Sequence, residues 1–164
     1  MDANMQTTGE TYTTTIQDNF GNFSLGSKLF KNPYAELNAN GYFFNEISGE
    51  LSTGTLNLRA IVELADKSTV NVNILTHLKY QRILHLVAQG HSFKEANTQA
   101  QHELFAAFGL SKYAETDASH FSITQGNDEA AALIAVSSLF LINKGEAEIT
   151  EYLAKLSSEF EDNG

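Results

Sequence analysis

The 164-residue chain contains no cysteine, which removes disulfide scaffolds, thiolate metal sites and cysteine nucleophiles together. The redox compartment is therefore not legible from thiol usage. A single proline, Pro33, and the lack of any Gly/Ser-rich stretch leave no linker at which the chain would divide. Basic residues are scarce. Ten Lys and Arg against twenty Asp and Glu give a formal charge of -10, and neither half of the chain escapes the imbalance. No basic face is expected for a phosphate backbone, so nucleic acid and anionic membrane are poor partners. The acidity reads first as a solubility device, ahead of any attraction for cations or basic ligands. The longest apolar run, Ala130 to Ile142, is too short for a hydrocarbon core of about 30 Å and is interrupted by Ser137 and Ser138. It reads as a buried core helix, and no membrane span is expected. The opening MDANMQTTGETY has neither a charged n-region nor an apolar h-region, so no signal peptide is read in the chain as given.

Motifs that carry chemistry are also missing. Neither GxGxxG nor GxxxxGK[ST] provides a phosphate cradle, and GxSxG is absent. Five histidines invite a metal site, but HExxH, HxH and HxxxH do not occur. His77 and His85, eight apart on one predicted helix, stand about 80° round and two turns along, too far to share an ion. His91 and His120 fall in connections, and His102 lies on an exposed helical face beside Glu103. All five read as solvated or capping side chains. The stretch DNFGN has a calcium flavour, but no glutamate closes a twelve-residue loop, so it reads as a β-turn. Glu46, Glu50 and Glu63 are the strand carboxylates that acid/base chemistry on a glycan would draw upon, and they read as solvated. The expectation is no catalytic residue, no metal, no cofactor and no enzyme.

What remains is a folding sequence, 42% apolar and 18% charged, with eleven Phe and six Tyr for a core. The first part is written in period two. YTTTIQ, the turn DNFGN and FSLGSKLF predict a hairpin. YAELNANGYFF alternates Ala35, Leu37 and Ala39 against Tyr34, Glu36 and Asn38. TLNLRAIVEL places Leu56, Leu58, Ala60, Val62 and Leu64 on one face, and TVNVNI predicts a further strand with Asn71 and Asn73 outward. Near Thr76 the period changes to about 3.6.

Four helices follow. The first carries Leu78, Ile83, Leu84, Leu86 and Val87 and ends at Gly90; Ser92 and Glu95 then form a capping box, and so short a connection predicts an antiparallel helical hairpin. Phe93, Ala96, Ala100, Leu104 and Phe108 make the second stripe. The polar connection 110–126 is long and reads as a wrapped surface segment or a functional loop. Asn127 caps a third helix, apolar nearly all round and expected to be the most buried. The fourth, from about Glu146, turns Ile149, Tyr152, Leu156 and Phe160 inward, with Glu151 and Lys155 at i,i+4 outside. The fold class predicted is α+β: a β-sandwich-like layer over 1–75 packed as one unit on a bundle of about four helices over 76–164.

The string TGETYTTTIQDNFGNFSL, with its T-x-x-D-x-x-G-x-F-x-L spacing, resembles the closing hairpin of carboxypeptidase-regulatory-like, transthyretin-type β-sandwich modules. The longer run from Tyr34 through GYFFNEISG and VNVNILTHL, continued by GHSFKEANTQAQHELFAAFGL, is similar to an uncharacterised group of surface lipoproteins of Bacteroidetes type. The resemblance implies an exported protein at the cell surface or outer membrane, with its signal and lipid anchor upstream and more chain on both sides. It also implies a missing first strand, hence an open sheet edge and a strand-paired dimer. It carries no activity and no site residues.

Three functions are weighed. The first is a non-enzymatic cell-surface binding or adhesion module for a glycan or protein ligand. The second is a hydrolase of extracellular polymers with a groove between the β layer and the 110–126 connection. The third is a purely structural spacer. If a ligand site exists, the junction of sheet and helices is the place for it: Asn45, Glu46, Arg59, Asn71, Asn73 and His77. The competing role for these six is a hydrogen-bond network tying down strand ends and the first helix's free amides.

Overall fold

The computed structural model describes residues 1–45, 47–65 and 67–164. The fold is α+β, with strands preceding helices. Strand β1 (Tyr34–Gly41) pairs antiparallel with β4 (Leu56–Glu63), in a register running from Tyr34 opposite Glu63 to Gly41 opposite Leu56. Beyond Gly41 the same hairpin continues as two short strands, β2 (Phe44–Asn45) and β3 (Glu50–Leu51). Partner numbers sum to 97 in the first ladder and 95 in the second. Residues 42–43 therefore face 52–55, a bulge that turns the tip away from the main ribbon.

A sandwich does not form among the described residues. The turn at Asp18 is present: its Oδ1 accepts from the Phe20 and Asn22 amides at 2.9 and 3.1 Å, and Gln17 N–H reaches Asn22 O at 2.7 Å. Its flanks, however, build no ladder, and Phe20 and Leu29 are 74% and 94% exposed. A hairpin whose apolar side chains stay in water has no buried face to hold it against a second sheet. The segment TVNVNI is likewise not a strand. Asn73 is instead the N-cap of α1 (Ile74–Ala88), in a reciprocal capping box with Thr76.

Helix α1 is the centre of the molecule. It packs against β4, α2 (Phe93–Ala107) and α4 (Glu146–Asn163). The sharp return at Gly90, at φ 100°, brings α2 back antiparallel, and the Ser92–Glu95 box starts it. One end of the core gathers Leu75, Leu78, Phe105, Phe121, Phe140 and Leu153; Leu56 and Leu58 of β4 pack against it. The other end joins Met5 and Ile61 to Tyr80, Ile83, Phe93 and Ala100. Sheet and helices thus share both clusters.

Helix α3 (Asp128–Leu141) starts at Asn127 as its caps dictate, but it is not the most buried helix. Its inward stripe is Leu133, Val136 and Phe140, while Ile134 and Leu139 on its other side are exposed. Apolar composition all round does not bury a helix that packs along only one stripe. In α4 the inward residues are Ile149, Leu153 and Phe160, whereas Tyr152 is exposed over Lys144; Lys155 pairs with Glu159 rather than Glu151.

Candidate functional site

The five predicted junction residues that are described, Arg59, His77, Asn71, Asn73 and Asn45, are used by the fold itself and lie in three places. Arg59 and His77 meet. The Arg59 backbone N–H donates to His77 Nδ1 at 3.1 Å, so α1 covers the outer edge of β4. That bond requires a neutral ring with its proton on Nε2, and burial, helped by the nearby Arg59 charge, holds the imidazole below its ordinary pKa. The Arg59 guanidinium lies over the Tyr80 ring at 5.3 Å and stands 3.9 Å from Glu36.

Asn71 and Asn73 meet a different partner, the connection between α2 and α3. Asn73 Nδ2 donates to Ala118 O and Phe121 O at 2.8 and 3.1 Å; Asn71 donates to Ser119 O through its amide N–H and its side chain. The connection is thereby pinned to the start of α1. It is pinned again by a buried polar cluster that the sequence does not announce. Lys79, 2% exposed, donates to Gln101 Oε1 at 3.1 Å and Asp117 Oδ1 at 3.4 Å. Lys67 Nζ reaches the other Asp117 oxygen at 2.7 Å. Gln101 Nε2 reads Ala114 O and Thr116 O, and its oxygen accepts from Ala118 N–H. Burial pushes the Asp117 carboxyl up. The Lys79 ammonium, the Lys67 bond and the Ser119 amide outweigh it and hold the group well below the usual carboxylate range. Burial lowers Lys79 despite the same pairing. The segment 110–126 is thus a strap fastened to the start of α1 and to α2.

Asn45 stands apart at the hairpin tip; Glu46 lies outside the described residues. Asn45 Oδ1 accepts from Ile47 N–H and Ser48 N–H at 2.9 and 3.1 Å, an Asx-type turn. The tip is held on α4 by Glu146, whose Oε1 accepts from Thr53 N–H, Thr53 Oγ1 and Gly54 N–H at 2.6, 2.9 and 3.3 Å. Together with its own backbone N–H at the helix start, these donors bring its pKa down to about 2. A Cβ at position 54 would stand 3.3 Å from Glu146 Cβ, so glycine lets hairpin and helix approach. Asn45→Ala is expected to cost about 0.5–1 kcal/mol through the lost turn bonds and to leave ligand binding unchanged. Thermal melting beside a binding titration checks both.

A further opening has no counterpart among the sequence expectations. A groove of about 370 Å³ runs between β1 and the N-terminal segment, lined by Thr7 to Tyr12 without Gly9, by Leu25 and Phe30 to Asn32, by Tyr34 to Asn38 and by Leu64. Its size falls within the range of about 300–1,000 Å³ typical of ligand pockets. Tyr12 and Phe30 stack edge to face at 5.7 Å. Glu10 pairs with Lys31 at 2.8 Å, and Glu36 contributes a second carboxylate. The only available signal was the β-branched, aromatic run at 11–16 lying near β1, and sequence alone does not bring the two together. Among the described residues no group of three or more metal-ligating side chains converges, and no helix is long and apolar enough to cross a membrane. Comparison with protein-family models, curated proteins and solved structures finds no match to this chain.

Proposed function

We propose that the protein is a non-enzymatic binding or adhesion module that takes its ligand in the groove between β1 and the N-terminal segment. The observation that carries this reading is the groove's make-up: a pocket-sized opening with exposed aromatic walls, Tyr12 and Phe30, beside a polar strand edge. Exposed aromatics with a polar handle are the side chains that most often anchor glycan or protein ligands. Export, lipid anchoring and placement at the cell surface rest on the resemblance to Bacteroidetes-type surface lipoproteins and belong to the same proposal.

The test is a glycan and protein array probed with the wild type and with Tyr12→Ala/Phe30→Ala. Binding lost in the double variant at an unchanged melting temperature supports the groove; no binding, or binding that the variant leaves intact, overturns it. A second reading, a hydrolase of extracellular polymers, draws on Glu10 and Glu36 lining one groove. Polymer cleavage abolished by Glu36→Gln would favour it.

A further inference from the structure

We infer that the ligand of this groove is an extended, basic polypeptide segment that adds to the sheet as a strand along β1. The inference rests on the groove reading and names its ligand class. It follows from the ladder. Arg59 N–H points to His77, away from β1, so Asn38 opposite Arg59 is a non-hydrogen-bonded position whose own N–H and C=O face away from β4. Two residues on in either direction the same holds for Glu36 and Asn40. The ends of the register agree: Leu64 N–H bonds Pro33 O across the pair, whereas Tyr34 O turns outward and is taken by the Met1 amine at 2.9 Å.

Among the described residues, the outward backbone groups of Glu36, Asn38 and Asn40 bond to no other protein group. Each is a donor–acceptor couple, repeating about every 6.6–6.8 Å. Only another extended backbone presents couples at that interval, and sugar hydroxyls do not repeat so. The N-terminal segment passes close enough for Ile16 Cδ1 to approach Gly41, yet it builds no ladder there. The edge carries no proline, lysine or bulge to discourage pairing.

Charge decides the occupant. Within the groove Glu10 is paired with Lys31 and Glu36 stands 3.9 Å from Arg59, so the selecting charge is that of the chain as a whole, at -10. A second copy would bring two such chains together, whereas a Lys- or Arg-bearing segment is attracted. Apolar side chains alternating with the basic ones would meet Leu25, Phe30 and Leu37.

The probe is an acetylated, amidated heptapeptide alternating lysine and valine, titrated against the 164-residue protein by calorimetry. The matched control is the same peptide N-methylated on every second amide. N-methylation is expected to weaken binding by about tenfold or more, because two or three edge bonds are lost. On the protein side, Asn38→Pro removes an outward N–H that the β1–β4 ladder does not use, so the fold is retained and binding falls. Asn57→Ala, which removes the β4 side chain bonded to the Asn38 side chain and leaves the edge backbone intact, binds as wild type. Equal binding of both peptides, or undiminished binding by Asn38→Pro, overturns strand addition. Peptide failing while an array glycan binds and Tyr12→Ala/Phe30→Ala abolishes it overturns this inference but leaves the groove reading standing. If neither ligand binds, both fall. A dimer in sedimentation that Asn38→Pro dissolves makes the second copy the occupant and also overturns the inference.

Discussion

Asp117→Ala is expected to lower unfolding stability by about 3–5 kcal/mol, while Lys79→Met at the other end of the same contact is expected to be nearly neutral. The asymmetry is physical. Removing Asp117 leaves the Lys79 ammonium, fully inside the protein, with only Gln101 Oε1 as partner, leaves Lys67 with only Ser119 Oγ at 3.3 Å, and strips the Ser119 amide of its acceptor. Removing the lysine instead leaves Asp117 bonded to Lys67, and Gln101 Oε1 still bonded to the Ala118 amide. A methionine fills the aliphatic path that Lys79 occupied. The double variant should recover most of what Asp117→Ala loses. Chemical denaturation of the four proteins checks the set, and equal losses for the two single variants would refute the account.

The same carboxylate sets a pH dependence. Its folded pKa lies below its unfolded one, so the unfolded state binds the proton more readily. The contribution is complete at neutral pH and is lost as pH falls from the ordinary aspartate value of about 3.9 downward. In Asp117→Asn this part of the acid destabilisation should be absent.

Arg82→Ala is the second large effect, expected at about 2–4 kcal/mol, or roughly 5–15 °C in melting temperature. Arg82 is 8% exposed and forks onto both oxygens of Glu103, Nε to Oε2 at 2.9 Å and Nη2 to Oε1 at 3.1 Å. Its Nη1 also donates to Glu161 O and Asp162 O at 3.0 and 3.1 Å. One side chain on α1 therefore orients α2 and caps the last turn of α4, where the helix dipole favours a cation. Burial pushes Glu103 up, and the Arg82 and Gln99 bonds hold it below its ordinary value. Arg82→Lys keeps the charge and loses the fork, so it should fall between wild type and alanine. Amide exchange adds a local readout: protection at the end of α4 should drop more than in α2. Uniform loss across the molecule would show that the cap is not the principal role.

Local rules carry most of the helical half. Asn127, Ser92 with Glu95, and Gly90 mark helix ends by chemistry that acts within four residues, and each mark is found where the sequence puts it. The faces of β1 and β4 are equally legible, because period two shows which residues of one strand lie together, whereas their pairing and register come from the fold. Burial is not local. Lys79 and Arg82 carry no local mark of burial, and Asn71 and Asn73 read as outward strand positions. Each acquires its role from a partner 20 to 80 residues away: Gln101, Asp117, Glu103, Ser119, Ala118, Glu161. The hairpin predicted over 12–30 fails for the complementary reason. Its turn chemistry at Asp18 is sound, but no other element covers its apolar faces.

By itself, the sequence determined the class of the fold, the order of strands before helices, the helix caps, and the exclusion of thiol chemistry and of recognisable phosphate or metal motifs. These follow from composition, from period and from interactions within a turn. The tertiary structure alone decided that α1 rather than α3 is central, that 110–126 is a fastened strap, and that the free edge of β1 faces a groove. Those outcomes depend on which distant surfaces meet. A buried ion pair or an open strand edge exists only once the whole chain has chosen what to cover, and no neighbouring residue records that choice.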